Sequence, residues 1–288
     1  MNPAARPDAE TLMRISSSSP DTNAPHTRSG PRNVPPPASR TNEPGAVVNE
    51  YLKTIDFAPM DYPRATIHMA QGIRTNSAGK EPETVQWVET ALQQGDVLYD
   101  IGACVGAYSL VAASFWGESI RVYAFEPGFQ NFPLLVQNVL KNGFADIISP
   151  VNLPVSRKLS LNEFNHAGLR DGSALHAYGQ PVDYKGTVFT PSFRQLSLSV
   201  SVDELVSRFS LPAPTAMKLD VDSIELDILR GARAALSNPS FRTLLVEATE
   251  AKDAVPIREL MHECGLGLVS VDRGHLTGNY IYARGGGS

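Results

Sequence analysis

Two spacings of apolar residues alternate along most of this chain. In residues 83–92, ETVQWVETAL, Val85, Val88 and Leu92 recur at helical intervals, and Gly95-Asp96 closes the segment. Residues 97–101 follow as a short apolar run with strand character, then 108–115 as a helix. The pair repeats: 120–125 (IRVYAF) predicts a strand ending at Glu126-Pro127, and 129–140 a helix with Phe132, Leu135, Val136 and Leu140 on one side. Residues 147–153 predict a third strand. After an interruption the rhythm resumes. Ser201 and Glu204 have capping-box spacing and open a helix through Phe209. A strand at 216–221 (AMKLDV), a helix at 224–236, a strand at 243–246 running into Glu247 and a helix at 255–264 stopped by Gly265 come next. Strands at 268–271 and 280–283 close the series. Strands alternating with helices predict an α/β fold, a mostly parallel sheet covered on both faces.

Residues 155–200 break the alternation. They are polar, carry Gly and Pro, and hold two short alternating runs at 187–189 and 196–202, which predicts a hairpin-like insertion or lid. Residues 1–45 show neither period and are rich in Pro, Ser, Asn and Thr. Such a stretch cannot bury enough apolar surface to offset its ordering entropy, so disorder is expected there. The Gly-rich end, 285–288, is expected to be a flexible tail, leaving one domain across 46–284.

Composition narrows the function classes. With 288 residues, 42% hydrophobic and 19% charged, the chain can bury a substantial core. A net charge of -5 gives no footprint for nucleic acid or an anionic membrane. No apolar run reaches the roughly 18 residues of a membrane span, and the N-terminus lacks the apolar segment of a secretory signal. The two cysteines, Cys104 and Cys264, form no CxxC pair. That argues against a zinc site or disulfide framework and suits a cytoplasmic setting. Nothing in the sequence signals an oligomeric state.

In a parallel α/β sheet, ligands sit beyond the carboxyl ends of the strands, so the residues just after each strand carry the chemistry. Asp100-x-Gly102-x-x-x-Gly106 supplies glycines for a tight turn and close ligand approach, with a helix N-terminus following. The dinucleotide pattern GxGxxG is absent, because Cys104 occupies its second glycine. Glu126, 20 residues beyond Gly106 at the end of the next strand, is placed to accept both hydroxyls of an adenosine ribose. Both NAD and S-adenosylmethionine sites use such an acid. In KLDVDSIE, Lys218 and Asp220 put two charges on an apolar strand, which is costly unless they are paired or functional. Asp222 and Glu225 also fit a plain helix-start device, an N-cap acid with Glu three residues on.

YDIGACVGAYSL, YAFEPGFQNFPLLVQNVLKN, MKLDVDSIELDILRGA and the following LLVEATE together resemble the FkbM-type methyltransferases across roughly residues 80 to 283. That resemblance implies the class I, Rossmann-like methyltransferase fold, a mostly parallel sheet with an antiparallel closing strand, and S-adenosylmethionine as cofactor. The family pattern is close to DIGANVG, AFEP…N…L..N and KIDVEGxExxxLxG. Cys104 stands where the pattern has Asn, and Asp222-Ser223 where it has Glu-Gly. By motif, Asp100, Gly102, Ala103 and Gly106 are expected around the methionine and ribose of the cofactor. Glu126 is expected on the ribose hydroxyls, Pro127 in the turn, Asn131 near the cofactor and Asp220 near the methyl group.

The resemblance implies an O-methyltransferase acting on a hydroxyl of a sugar, glycan or polyketide-like small molecule. Asp220, Asp222 and Glu225 are the expected catalytic residues, with Glu247, His166 and His176 as further candidate bases. Tyr178, Tyr184, Phe189 and Phe193 of the insertion offer a carbohydrate platform. Asp220 and Asp222 are hard donors of the kind magnesium takes, but no complete ligand set is visible, and no metal is expected. Two other readings stay open: an NAD-dependent oxidoreductase, disfavoured by the missing glycine, and a cofactor-retaining interaction domain.

Overall fold

The computed structural model describes residues 44–249, 252–274 and 277–285. Residues 1–43 of the expected disordered tail and 286–288 of the Gly-rich end lie outside the described residues. The described chain opens with helix α1 (Pro44–Leu52), strands β1 (Phe57–Pro59) and β2 (His68–Ala70), and the short helix α2 (Ser77–Lys80). None of these four was legible as an apolar period. The expected alternation then begins: α3 (Pro82–Ala91), β3 (Val97–Ile101), α4 (Ala107–Trp116), β4 (Arg121–Phe125), α5 (Asn131–Lys141) and β5 (Ile148–Val151). The insertion carries β6 (Ser160–His166), β7 (Ala177–Tyr178) and β8 (Phe193–Ser199). The series ends with α6 (Val202–Ser207), β9 (Ala216–Leu219), α7 (Glu225–Arg230), α8 (Arg233–Ser237), β10 (Thr243–Thr249), α9 (Ala254–Glu263), β11 (Leu266–Arg273) and β12 (Thr277–Arg284).

The central sheet has seven strands in the order β11-β12-β10-β9-β3-β4-β5. β10, β9, β3, β4 and β5 run parallel, while β12 is antiparallel to both β10 and β11. This is the mostly parallel, Rossmann-like arrangement with an antiparallel strand near one edge. The chain moves outward from β3 to β5 and then crosses back to β9 on the other side of β3. The carboxyl ends of β3 and β9 are therefore the switch point, where a crevice must open.

Strand alternation sends side chains to two core layers. Leu98, Val122, Ala124 and Leu245 pack with Val88, Leu110, Val111 and Leu135 of α3–α5 on one face. Tyr99, Phe125, Leu219 and Val246 pack with Leu205, Ile228, Leu236 and Ile257 of α6–α9 on the other. The capping box at α6 is formed: Ser201 Oγ accepts from Glu204 N–H and Glu204 Oε2 accepts from Ser201 N–H, both at 3.2 Å.

Two elements differ from expectation. The helix expected over 224–236 is broken into α7 and α8 at Gly231. A Cβ on Gly231 would lie 2.6 Å from Arg157 O and 2.8 Å from Ser156 O, which requires glycine there, and Asp203 holds the break: its N–H donates to Gly231 O at 3.0 Å and its carboxylate accepts from Ala234 and Ala235 N–H at 2.9 Å. The insertion contains an antiparallel pair, as expected, but its strands are β6 and β8, with β7 added on the far side of β6. The run at 187–189 contributes only a single bridge, Val182 to Val188.

Candidate active site

The chain leaves β3 through two glycines in the left-handed region. Gly102 has φ 84°, and a Cβ there would lie 1.8 Å from the Asp220 carbonyl oxygen. Only glycine lets the loops after β3 and β9 approach so closely. Gly106 has φ 87° and begins α4; a Cβ there would meet Leu135 Cδ1 at 2.5 Å. Between them Cys104 has φ 52°, a conformation that Asn tolerates better than most side chains. This is a physical reason for Asn at that place in the family pattern.

The loop is tied to the end of β4. Gly102 and Ala103 N–H both donate to Phe125 O at 3.0 Å. Glu126 Oε2 accepts from Cys104 N–H at 2.9 Å and Oε1 from Gly128 N–H at 2.7 Å. Despite these bonds, burial pushes the Glu126 carboxyl up to about 8.

Lys218 and Asp220 lie two apart along the chain and share one side, and the parallel register sets Asp100 directly opposite Lys218. Lys218 Nζ is 3.1 Å from Asp220 Oδ2, 4.0 Å from Asp100 Oδ1 and 5.1 Å above the Tyr108 ring. Asp100 Oδ2 accepts from Ser109 Oγ at 2.6 Å, while the buried Oδ1 has no hydrogen-bond partner. Burial opposes all three charges. At Lys218 the pull of Asp220 and Asp100 outweighs it, so the ammonium is held above its ordinary pKa. At Asp220 Lys218 outweighs it and the carboxyl is held low. At Asp100 burial wins and the carboxyl is raised.

Glu247 follows the last β10–β9 pair, Val246 with Leu219, and so falls beside Asp220. It accepts from Thr277 Oγ1 at 2.9 Å, and burial, then the charge of Asp220, raises it to about 7. Asp222 has φ 74°, accepts from Leu175 N–H at 2.6 Å, and is raised to about 6 by burial and then Asp220. One carboxylate oxygen each of Asp220, Asp222 and Glu247 lies within 4.8 Å of the others. Like charges so close cannot all ionise, so the cluster retains a proton near neutral pH. These oxygens are also the residues' hard donors toward a divalent ion. Glu225 is buried, accepts from Val221 N–H at 3.2 Å and is raised to about 8 by burial. The helix-start device is not formed: α7 is preceded by Ile224, with no side-chain cap.

Gly102, Cys104, Glu126, Asp220, Asp222 and Glu247 are brought together around a cavity of about 310 Å³. On the β5 side it is lined by Leu153, Pro154, Val155, Phe164, His176 and Tyr178, and in the middle by Gly102, Cys104 and Glu126. On the β9–β10 side stand Asp220, Asp222 and Glu247, joined by Arg74, Lys80 and Glu81. Burial, and then its neighbour His166, lowers His176 to about 4, so it is neutral at pH 7.

Of the expected cofactor residues, Gly102, Glu126, Pro127 and Asn131 line the cavity. Asp100 lies behind its wall under Lys218, Ala103 packs into the core, and Gly106 turns the chain into α4. Of the expected catalytic residues, Asp220 and Asp222 line the cavity together with Glu247, whereas Glu225 borders a small neighbouring pocket. Within the insertion, His176 and Tyr178 line it, but His166, Tyr184, Phe189 and Phe193 do not. Sequence reasoning missed Arg74, Lys80, Glu81 and Phe164. The stretch QGIRTNSAGKE carries no apolar period, and its one local signal, Pro82 at the start of α3, marks a helix and no site.

Comparison with known proteins adds to this geometry. The chain is 24% identical over 205 residues to the hexuronic acid methyltransferase AglP of Haloferax volcanii, covering 70% of this chain and 77% of that protein. A precorrin-6y C5,15-methyltransferase from Geobacter metallireducens is similar in structure with TM-score 0.45 and 13% identity, over 79% of this chain and 98% of that one. A SAM-dependent methyltransferase from Agrobacterium tumefaciens has TM-score 0.44 and 12% identity, over 80% and 70% of the two chains. Residues 100–266, which run from Asp100 through the strand-end carboxylates to β11, match the methyltransferase FkbM domain, and the chain belongs to that family of methyltransferases.

Proposed function

We propose that the protein transfers a methyl group from S-adenosylmethionine to a hydroxyl of a sugar or glycan. The observation that carries this reading is the grading of the cavity. It is apolar and aromatic at Leu153, Val155, Phe164 and Tyr178, acidic at Glu126 in the middle, and of both charges at Arg74, Lys80, Glu81 and Asp220. Adenine, ribose and a sulfonium-bearing amino acid have the same order of chemistry. The cradle fits such a group, since Gly102 brings bare main chain to the cavity wall beside the Glu126 carboxyl. The sugar preference rests on the name of the Haloferax volcanii relative. No helix among the described residues is long and apolar enough to cross a membrane. The free thiols Cys104 and Cys264 support a reducing compartment, and we place the enzyme in the cytoplasm.

When bound, the cofactor supplies a methyl group on a positively charged sulfur. Glu126 would hold the ribose hydroxyls from a position fixed by the N–H groups of Cys104 and Gly128. Asp220, kept ionised by Lys218, presents negative charge to the reacting end of the cavity. Glu247, raised to about 7, is matched to take the acceptor's hydroxyl proton near neutral pH. Arg74 and Glu81 face the amino-acid end.

Isothermal titration with S-adenosylmethionine and NAD side by side tests the cofactor. Heat with the first and none with the second is expected, and Glu126→Ala should weaken binding by roughly 10- to 100-fold, the cost of leaving the buried hydrogen-bond partners of that carboxyl unpaired. Heat with NAD alone would overturn the reading. Mass spectrometry of a sugar panel for a gain of one CH₂ tests the acceptor.

A further inference from the structure

We propose that residues 170–176 form a strap that closes the cavity, with Asn131 as its anchor and Asp222 as its latch, so that Asp222 serves the reaction as a positioning residue and not as a base. This rests on the methyltransferase reading for its purpose, though not for its geometry.

Residues 172–175 of the strap are held through their main chain, and His176 at its end by a buried ring. At one end, Gly172 O accepts from Arg74 Nε at 3.0 Å and Nη2 at 2.8 Å. Asn131 Oδ1 accepts from Gly172 N–H and Asn131 Nδ2 donates to Ser173 O, both at 2.9 Å. Four bonds thus fix 172–173 to α5 and to the segment after β2. Toward the other end, Leu175 N–H donates to Asp222 Oδ2 at 2.6 Å and so reaches the loop after β9, and beyond it the buried His176 ring is fixed by Gln130 Nε2 at 3.1 Å and by Ala167 N–H, which donates to Nδ1 at 3.2 Å. Ser173, Ala174 and Leu175 between these ends line the cavity.

The latch is strained on both sides. Leu175 has φ 66° and Asp222 φ 74°. A leucine in the left-handed region is an outlier that persists only where its surroundings hold it. Packing does not hold this one, because Leu175 is 46% exposed. The Asp222 bond does. Strain set against one hydrogen bond is the arrangement of a short segment that opens, 174–175 moving between fixed ends at 172–173 and His176. A cavity that exchanges cofactor for product on every turnover needs such an opening. Asp222, with one oxygen committed to Leu175, carries that duty, while Glu247 stands free of the strap on the opposite strand.

The test is hydrogen exchange and steady-state kinetics on the full chain, comparing wild type with Asp222→Gly and Asp222→Asn. Glycine accepts φ 74° without strain, so the first variant removes the latch without straining the backbone, and Asp222→Asn matches it in the loss of carboxylate charge beside Glu247. Asparagine keeps an acceptor oxygen and cannot take a proton. Asp222→Gly is expected to speed exchange at Leu175 by roughly tenfold or more, leave β3 protected, and raise the KM for S-adenosylmethionine more than it lowers kcat. Asp222→Asn should restore Leu175 protection and most of kcat. A loss of kcat by roughly a hundredfold or more in Asp222→Asn with Leu175 still protected would make Asp222 a base and overturn the proposal. Unchanged Leu175 exchange in Asp222→Gly would overturn it as well. The exchange arm needs no cofactor, so it stays readable if S-adenosylmethionine gives no binding heat.

Discussion

The floor of the cavity and its roof hold together in different ways. Beneath, contacts run between neighbouring strands: Gly102 against the main chain of Asp220, and Lys218 between Asp220 and Asp100. Above, single side chains reach the main chain of distant segments, Arg74 and Asn131 to Gly172, Asp222 to Leu175. Moving the floor means breaking a parallel sheet and separating buried charges. The roof opens one hydrogen bond at a time, each of modest net worth. A rigid floor under a separable roof suits a site that must fix charges yet exchange a large ligand.

The same substitution placed in each region gives the largest effect and the plainest contrast. Gly102→Ala puts a Cβ 1.8 Å from a backbone oxygen at φ 84°, and neither strand end can withdraw. A loss of about 4 kcal/mol is expected, in the range where single changes unfold a domain. Gly172→Ala, at φ 70°, meets Ile73 Cγ2 at 2.4 Å and Arg74 Cγ at 3.4 Å, side-chain atoms that can turn aside. Its cost should be about 1–2 kcal/mol, mostly backbone strain. Urea denaturation reads both, and equal losses would erase the distinction between floor and roof.

A second contrast is in proton uptake. Burial raises the carboxyls of Glu126 and Glu225 from 4.5 to about 8 in the folded state. The folded protein then binds more protons than the unfolded chain, so stability from these groups is full below pH 4.5 and is lost as pH rises through 8. In the roof, His176 is lowered from 6.5 to about 4, so its contribution has the opposite sign: present above pH 6.5 and lost as pH falls toward 4. Thermal unfolding across this window should therefore show a decline toward alkaline pH that Glu126→Gln flattens. Protection factors in 167–176, which remove the intrinsic slowing of amide exchange toward acid, should instead fall as pH is lowered. A Glu126→Gln protein with the full wild-type slope would remove Glu126 from the account.

The two regions also differ in how much of each the sequence carries. The floor follows from local rules. Strand alternation puts Lys218 and Asp220 on one side, glycine marks the turns, and Glu126 ends the next strand. The roof obeys no such rule, because a side chain bonded to a main-chain group leaves its partner's identity free. Gly172 and Leu175 accept or donate through atoms that every residue except proline supplies. Asp222 shows the consequence. Locally it looks like a helix cap three residues ahead of Glu225, yet its partner lies 47 residues earlier in the chain. The break at Gly231 is of the same kind, held by Asp203 and by the backbone at 156–157, both distant in sequence.

Cys104 belongs to the floor but carries strain, and it tests how far local fit governs that region. Its φ of 52° suits Asn or Gly, while its side chain is partly buried against the core layer of Leu110 and Leu135. Burial, then the charge of Glu126, pushes the thiol up to about 12, so it stays protonated and contributes packing alone. Cys104→Asn trades some of that packing for backbone fit. If the floor is as tightly fixed as the Gly102 contact implies, fit should win by about 0.5–1 kcal/mol, the smallest of these effects, and Tm should rise by about 1–4 °C for a domain of this size. Cys104→Gly serves as the control, since it relieves the same strain but adds freedom to the unfolded chain and should gain less. A fall in Tm for both would mean that thiol packing outweighs backbone fit, and that the floor tolerates a strained residue where the family pattern avoids one.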